Sequence, residues 1–100
     1  MKETQPDDLI AVNEFCANHN IGITFIDHLQ QSGLIEIYII ESKNFVEKEQ
    51  LPQLEKFVRF YYDLDINFEG IETINYLLQR MENLQNEIVA LKNRLRLYEG

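Results

Sequence analysis

From Ile74 onward an apolar side chain recurs after three and then four residues: Ile74, Leu77, Met81, Leu84, Ile88, Leu91, Leu95 and Tyr98. With Ile74 at position a, every a and d position over more than three heptads is apolar, the pattern of a helix packed lengthwise along another helix. A helix from about Phe68 to Tyr98 runs about 46 Å at 1.5 Å per residue, whereas a compact chain of this length has a radius of gyration of about 13 Å. The spacing therefore predicts a partner helix, and homodimerisation through these eight side chains is the expectation. The competing fate is folding back onto the rest of the chain, for which Ile71, Tyr76 and Leu78 add apolar surface outside the first half of the seam. Pairing direction stays open. In a parallel pair Glu87 meets Lys92 across the seam, which is favourable.

The 100 residues are 45% hydrophobic with four glycines and two prolines, so the chain is rich enough to fold and has no low-complexity linker. A head over residues 1–66 and a coiled-coil helix over residues 67–100 account for all of it. No apolar run approaches the ~20 residues that span a bilayer, and Met1 to Asp8 lacks the apolar segment of a secretory signal, so a cytoplasmic location is expected and no membrane partner. One cysteine, Cys16, precludes an internal disulfide and agrees with a reducing compartment.

Charge is unevenly placed. Through residue 79 there are 14 acidic against five basic side chains, net −9; from Arg80 onward three acidic against four basic, net +1; together these give the total of −8. Duplex DNA carries about one negative charge per 1.7 Å and is bound largely through Lys and Arg. An acidic head repels it and attracts a basic protein surface. The plainer reading is that the charge only keeps the protein in solution.

An extended piece around Leu9 to Val12 precedes a predicted helix from Glu14 to about His19, with Asn13 as its N-cap. A second helix over Thr24 to Ser32 places Ile26 and Leu29 on one side and ends at Gly33, which takes the left-handed conformation. Leu34 to Ile40 reads as a strand, Ser42-Lys43-Asn44 as a turn and Phe45-Val46 as a short return strand, which together make a wing. Apolar residues from Leu51 to Leu64 recur at helical spacing over Lys48 to Leu64, with Pro52 in the first turn. Asp63 to Asn67 breaks that helix, Asn67 caps the long one, and Glu69 sits near its positive dipole end.

This order resembles the winged-helix regulators of the MerR type and, more closely, the bacterial chaperone modulators of the CbpM-like family. Three pieces carry the likeness: Asn13-Glu14-Phe15-Cys16, Gly33-Leu34-Ile35-Glu36, and Asp63 through Ile71. The resemblance implies a mainly α fold, a MerR-like winged helix-turn-helix with a small β wing and a long dimerisation helix, paired antiparallel in the MerR manner. It also implies binding and inhibition of the J-domain of a DnaJ-like, CbpA-type co-chaperone, whose second helix is basic and touches the DnaK-type chaperone. DNA-binding MerR regulators carry Arg-Tyr-Tyr-Glu ahead of the Gly-Leu pair and use the cation on phosphate; here those positions are Asp27, His28, Leu29 and Gln30. The wing, commonly equipped with an arginine, offers only Lys43 beside Glu41, Ser42 and Asn44. DNA is accordingly disfavoured.

The acids expected to meet a J-domain are Asp63, Asp65 and Glu69, in an exposed break beside a helix start, with Asp27 and Glu36 on the former DNA-facing side. Their dull alternative is that Asn67 and Glu69 only start a helix. Cys16, His19 and His28 fall short of a four-ligand zinc set, and no nucleophile-base pair, phosphate loop or carboxylate pair stands out. No enzyme activity, cofactor or metal is expected. Three classes remain: a co-chaperone modulator, a MerR-like DNA-binding transcription regulator, and a generic coiled-coil adaptor.

Overall fold

The computed structural model describes residues 8–99. The order is β1 (Leu9–Ala11), α1 (Val12–His19), α2 (Ile23–Gln31), β2 (Tyr38–Ile40), β3 (Lys43–Glu47), a 3₁₀ turn (Lys48–Gln50), α3 (Leu51–Val58), a π-helical turn (Arg59–Asp63) and α4 (Phe68–Glu99). Contacts divide the chain into two units, one ending at Phe68 and one starting at Glu69.

The first unit is a helix-turn-helix with a wing. Helix α1 starts at Val12 directly from β1, and Ala11, at φ −65° and ψ 132°, precedes it without a side-chain cap. Asn13 is thus inside the first turn rather than its cap, because Val12, 2% exposed, is drawn into the helix by burial. Both helices end in a Schellman motif. After α1, Asn20 at φ 54° donates to Ala17 O and Ile21 donates to Cys16 O; after α2, Gly33 at φ 77° donates to Gln30 O and Leu34 to Leu29 O. These paired stops turn the chain sharply and leave Phe15, Cys16, Phe25, Ile26 and Leu29 all buried in one core with Leu54 and Phe57.

The wing belongs to a three-stranded antiparallel sheet in the order β1-β3-β2. Recruitment of β1 beside β3, with Ile10 opposite Val46, goes beyond the two-stranded hairpin read from sequence. The predicted strand from Leu34 shrinks to three residues for two reasons. Ile35 drops into the core at 4% exposure, and the backbone N–H and C=O of Glu36 are both satisfied by the Gln50 side chain, at 2.8 and 2.9 Å, instead of by a ladder.

Ile40 pairs with Lys43, so the connection is a two-residue turn of Glu41 and Ser42, and Lys43 and Asn44 lie in the strand rather than the turn. Both turn residues have positive φ, 50° and 65°, as in a type I′ turn, whose twist matches that of the flanking strands. Side chains at these angles are strained by about 1–2 kcal/mol per residue. Ser42→Gly is expected to raise stability by about 0.5–1 kcal/mol and the melting temperature by several degrees. Thermal melts of both proteins check this, and an unchanged midpoint contradicts strain at the turn.

The helix expected over Lys48 to Leu64 is instead segmented. It opens as a 3₁₀ turn, holds Pro52 in the first turn of α3, and widens after Val58. There the Leu64 N–H donates to Arg59 O at 3.1 Å and Ile66 to Phe60 O at 2.8 Å. The wide turn lets two successive residues, Tyr61 and Tyr62, face Phe25, with ring centroids 5.1 and 5.4 Å away. Asp65, at φ 53°, completes the break.

The second unit is α4 from Glu69 onward. The whole helix runs 32 residues, about 48 Å at 1.5 Å per residue, close to the length read from the heptads. Leu77, Met81, Leu84, Ile88, Leu91 and Leu95 are each 50–57% exposed, Tyr98 is 90% exposed, and Ile74 is half-buried.

Candidate functional site

Helix α2, the second helix of the helix-turn-helix, reads Ile-Thr-Phe-Ile-Asp-His-Leu-Gln-Gln and contains neither Lys nor Arg. Leu29, at one of the positions where the MerR pattern has a tyrosine, is fully buried and supports the core. Asp27 is half-buried, and its carboxylate, after burial itself, raises the Cys16 thiol above its usual range. Cys16 is a buried packing residue, not an activated nucleophile. At the wing, Lys43 is the one cation among the eight residues of β2, the turn and the first three positions of β3.

The five acids singled out from sequence occupy four places. Asp63 ends the π-helical turn and Asp65 follows two residues later, both exposed. Glu69 lies in the first turn of α4, in the second unit. Asp27 is on α2, and Glu36 sits just before β2, exposed, where its carboxylate is 3.5 Å from the Tyr38 hydroxyl. The structure brings only Asp63 and Asp65 together within one segment.

That segment has an apolar half that sequence reading overlooked. Tyr62, 43% exposed, and Leu64, 61% exposed, alternate with the two aspartates, so Tyr62-Asp63-Leu64-Asp65 presents acid and hydrocarbon side by side. Behind it lies an aromatic cluster. Tyr61 is 4.8 Å from Phe68, Phe25 is 5.7 Å from Phe68, and His28 stacks on Phe68 at 3.7 Å with the planes 13° apart. The cluster fixes the backbone of the break from both ends, since Tyr61 precedes it and Phe68 follows it. The run Phe60-Tyr61-Tyr62 was the available signal. His28 is exposed yet committed to this stack.

A second acidic feature lies where the helix-turn-helix meets the wing. A groove of about 410 Å³ is lined by Gly33, Leu34, Ile35, Glu36, Glu47, Glu49 and Gln50, three carboxylates and no cation. The Tyr38 hydroxyl donates to Glu47, and this hydrogen bond is the main reason its phenol is pushed up to about 12 from the ordinary 10.0.

His19 stacks on Phe15 at 4.1 Å, and its Nδ1 lies 3.1 Å from the Phe15 carbonyl oxygen, leaving Nε2 4.0 Å from Glu55. Cys16, His19 and His28 therefore have separate structural surroundings. Among the described residues no three His, Cys, Asp or Glu side chains are grouped to hold a metal ion, and no helix is long and apolar enough to cross a membrane.

Comparison with curated proteins and with solved structures finds no match. The sequence pattern of the MerR HTH family of regulatory proteins matches residues 10–93, from the first strand of the sheet into the third heptad of α4. The helix-turn-helix with its wing, the broken third helix and the long terminal helix are the structural counterpart of that match. The chain belongs to the MerR HTH family of regulatory proteins.

Proposed function

We propose that this protein is a non-enzymatic modulator that binds the J-domain of a DnaJ-like, CbpA-type co-chaperone and inhibits it by blocking recruitment of the DnaK-type chaperone. The observation that carries the reading is the charge of the helix-turn-helix: α2 has neither Lys nor Arg and carries Asp27 where a DNA-binding relative would place a phosphate-binding arginine. Each missing phosphate contact removes a released counterion, and a carboxylate in its place adds repulsion. The same surface is complementary to the basic helix of a J-domain. Asp63 and Asp65 form the centre of the contact in this reading, with Asp27, Glu36 and Glu69 contributing field. The protein acts as a homodimer paired through α4, and its place of action is the cytoplasm.

Membership of a family of regulatory proteins favours a second reading, a DNA-binding transcription regulator, for which Lys43, the first residue of β3 after the wing turn, is the supporting residue. The two readings differ in the sign of the partner. In the first, a purified J-domain fragment co-elutes with the protein in gel filtration, and the complex weakens as salt rises, while a low-salt gel shift on duplex DNA stays blank. Tight duplex binding with no J-domain complex would reverse the choice.

A further inference from the structure

We infer that the wing is a protein-docking surface, with Ile39 and Ile40 as its apolar anchors and a basic amphipathic helix as its occupant; this rests on the J-domain reading and names a contact which that reading does not contain. Strand β2 is an edge of the sheet, with β3 on one side only. Edge strands are ordinarily blunted by charge or proline to prevent adhesion. Here two of its three residues are isoleucines, 70% and 47% exposed. Successive strand residues point to opposite faces, so the pair makes the wing tip apolar on both sides. Their cross-strand neighbours are Asn44 and Lys43, which add no hydrocarbon cover from an aromatic or branched side chain.

Charge decides what kind of partner fits. Tyr38, the remaining residue of β2, has its hydroxyl on the carboxylates of Glu36 and Glu47, and both line the groove that holds three carboxylates and no cation. By alternation Tyr38 and Ile40 share one face of the sheet with Glu47, through the pairing of Tyr38 with Phe45. By this register Glu36 and Glu47 lie four residues from Ile40 along the strands, about 13 Å, or somewhat more than two turns of an α-helix at about 5.4 Å each. A helix crossing the wing with an apolar residue on Ile40 places a Lys or Arg about two turns away over the Glu36 and Glu47 carboxylates. Nucleic acid is repelled by the three carboxylates of the groove, and Lys43 is the one cation the tip sets against them.

The test uses the full-length protein and a purified J-domain fragment from a DnaJ-like co-chaperone, with affinity read by calorimetry and location by amide chemical shifts. In the unaltered protein, the fragment is expected to shift the amides of Ile39, Ile40 and Glu41. The double variant Ile39→Asp with Ile40→Asp is expected to lose about tenfold or more in affinity with an unchanged circular dichroism spectrum. Ile39→Leu with Ile40→Leu is expected to retain binding. Binding undiminished in the aspartate variant, with shifts confined to residues away from the wing, overturns the wing assignment and leaves the J-domain reading standing. No binding by the unaltered protein overturns both. Perturbation of the same amides by duplex DNA in place of the J-domain overturns the choice of occupant.

Discussion

Ile88→Lys combined with Leu91→Lys is expected to convert the proposed homodimer to a monomer in sedimentation velocity, the largest change that two substitutions should make. Six seam residues from Leu77 to Leu95 are half exposed on the single helix, so burying the rest of each is worth about 1 kcal/mol. A symmetric pair buries every such residue twice, which sets about 12 kcal/mol from these six positions against an association cost of about 4–15 kcal/mol. The margin is narrow. Residues 88 and 91 are an adjacent a and d pair, and a lysine at each puts four ammonium groups per dimer where hydrocarbon was to be buried. Helicity should fall somewhat with the dimer, since a long helix without a packed face is stabilised mainly by its neighbour. Conversely, Leu97→Lys, at a residue 84% exposed and outside the seam, should leave the dimer intact. A dimer that survives both seam lysines refutes pairing through this face, while loss of the dimer on altering Leu97 points to a different one.

The long helix was legible because its information is local and repeated. Heptad spacing states period, length and face at once, and α4 runs from Phe68 as the pattern indicates. Gly33 as a left-handed helix stop was legible for a related reason: one residue type supplies the conformation. Helix α1 was misplaced at its start because a capping residue, Asn13, lost to the burial of Val12 one position earlier. The wing was misread where tertiary partners replace local signals. Gln50 ties down Glu36 from 14 residues away, and Glu41 and Ser42 adopt angles that their side chains do not advertise. Likewise, a smooth helical period over Lys48 to Leu64 gave no hint that the ladder widens after Val58, because the reason lies in Phe25, on another helix. The acids of the candidate site could be read individually, but not that four places hold them, nor that Tyr62 and Leu64 stand exposed between two of them. Exposure is a property of the fold.

Asp63→Lys combined with Asp65→Lys is expected to weaken J-domain binding by about fourfold to a thousandfold. An exposed charge pair contributes about 0.2–1 kcal/mol, and reversing a charge both removes that attraction and adds a repulsion of similar size, so two reversals amount to about 0.8–4 kcal/mol. The effect should shrink as salt shortens the Debye length from about 10 Å at 0.1 M, which distinguishes it from misfolding. Backbone geometry makes the two positions unequal. Asp63 lies in the π-helical turn, where lysine is tolerated, whereas Asp65 has φ 53°, a conformation that aspartate and asparagine adopt more readily than lysine does. Asp65→Asn therefore removes the charge without straining the break, and Asp63→Lys with Asp65→Asn should retain most of the loss of affinity at unchanged thermal stability. Calorimetric titration of each variant with the J-domain, at two salt concentrations, reads both effects. Unaltered affinity in the double lysine protein would remove these aspartates from the contact. A loss that appears only with Asp65→Lys, and not with Asp63→Lys plus Asp65→Asn, would assign it to the distorted backbone rather than to charge.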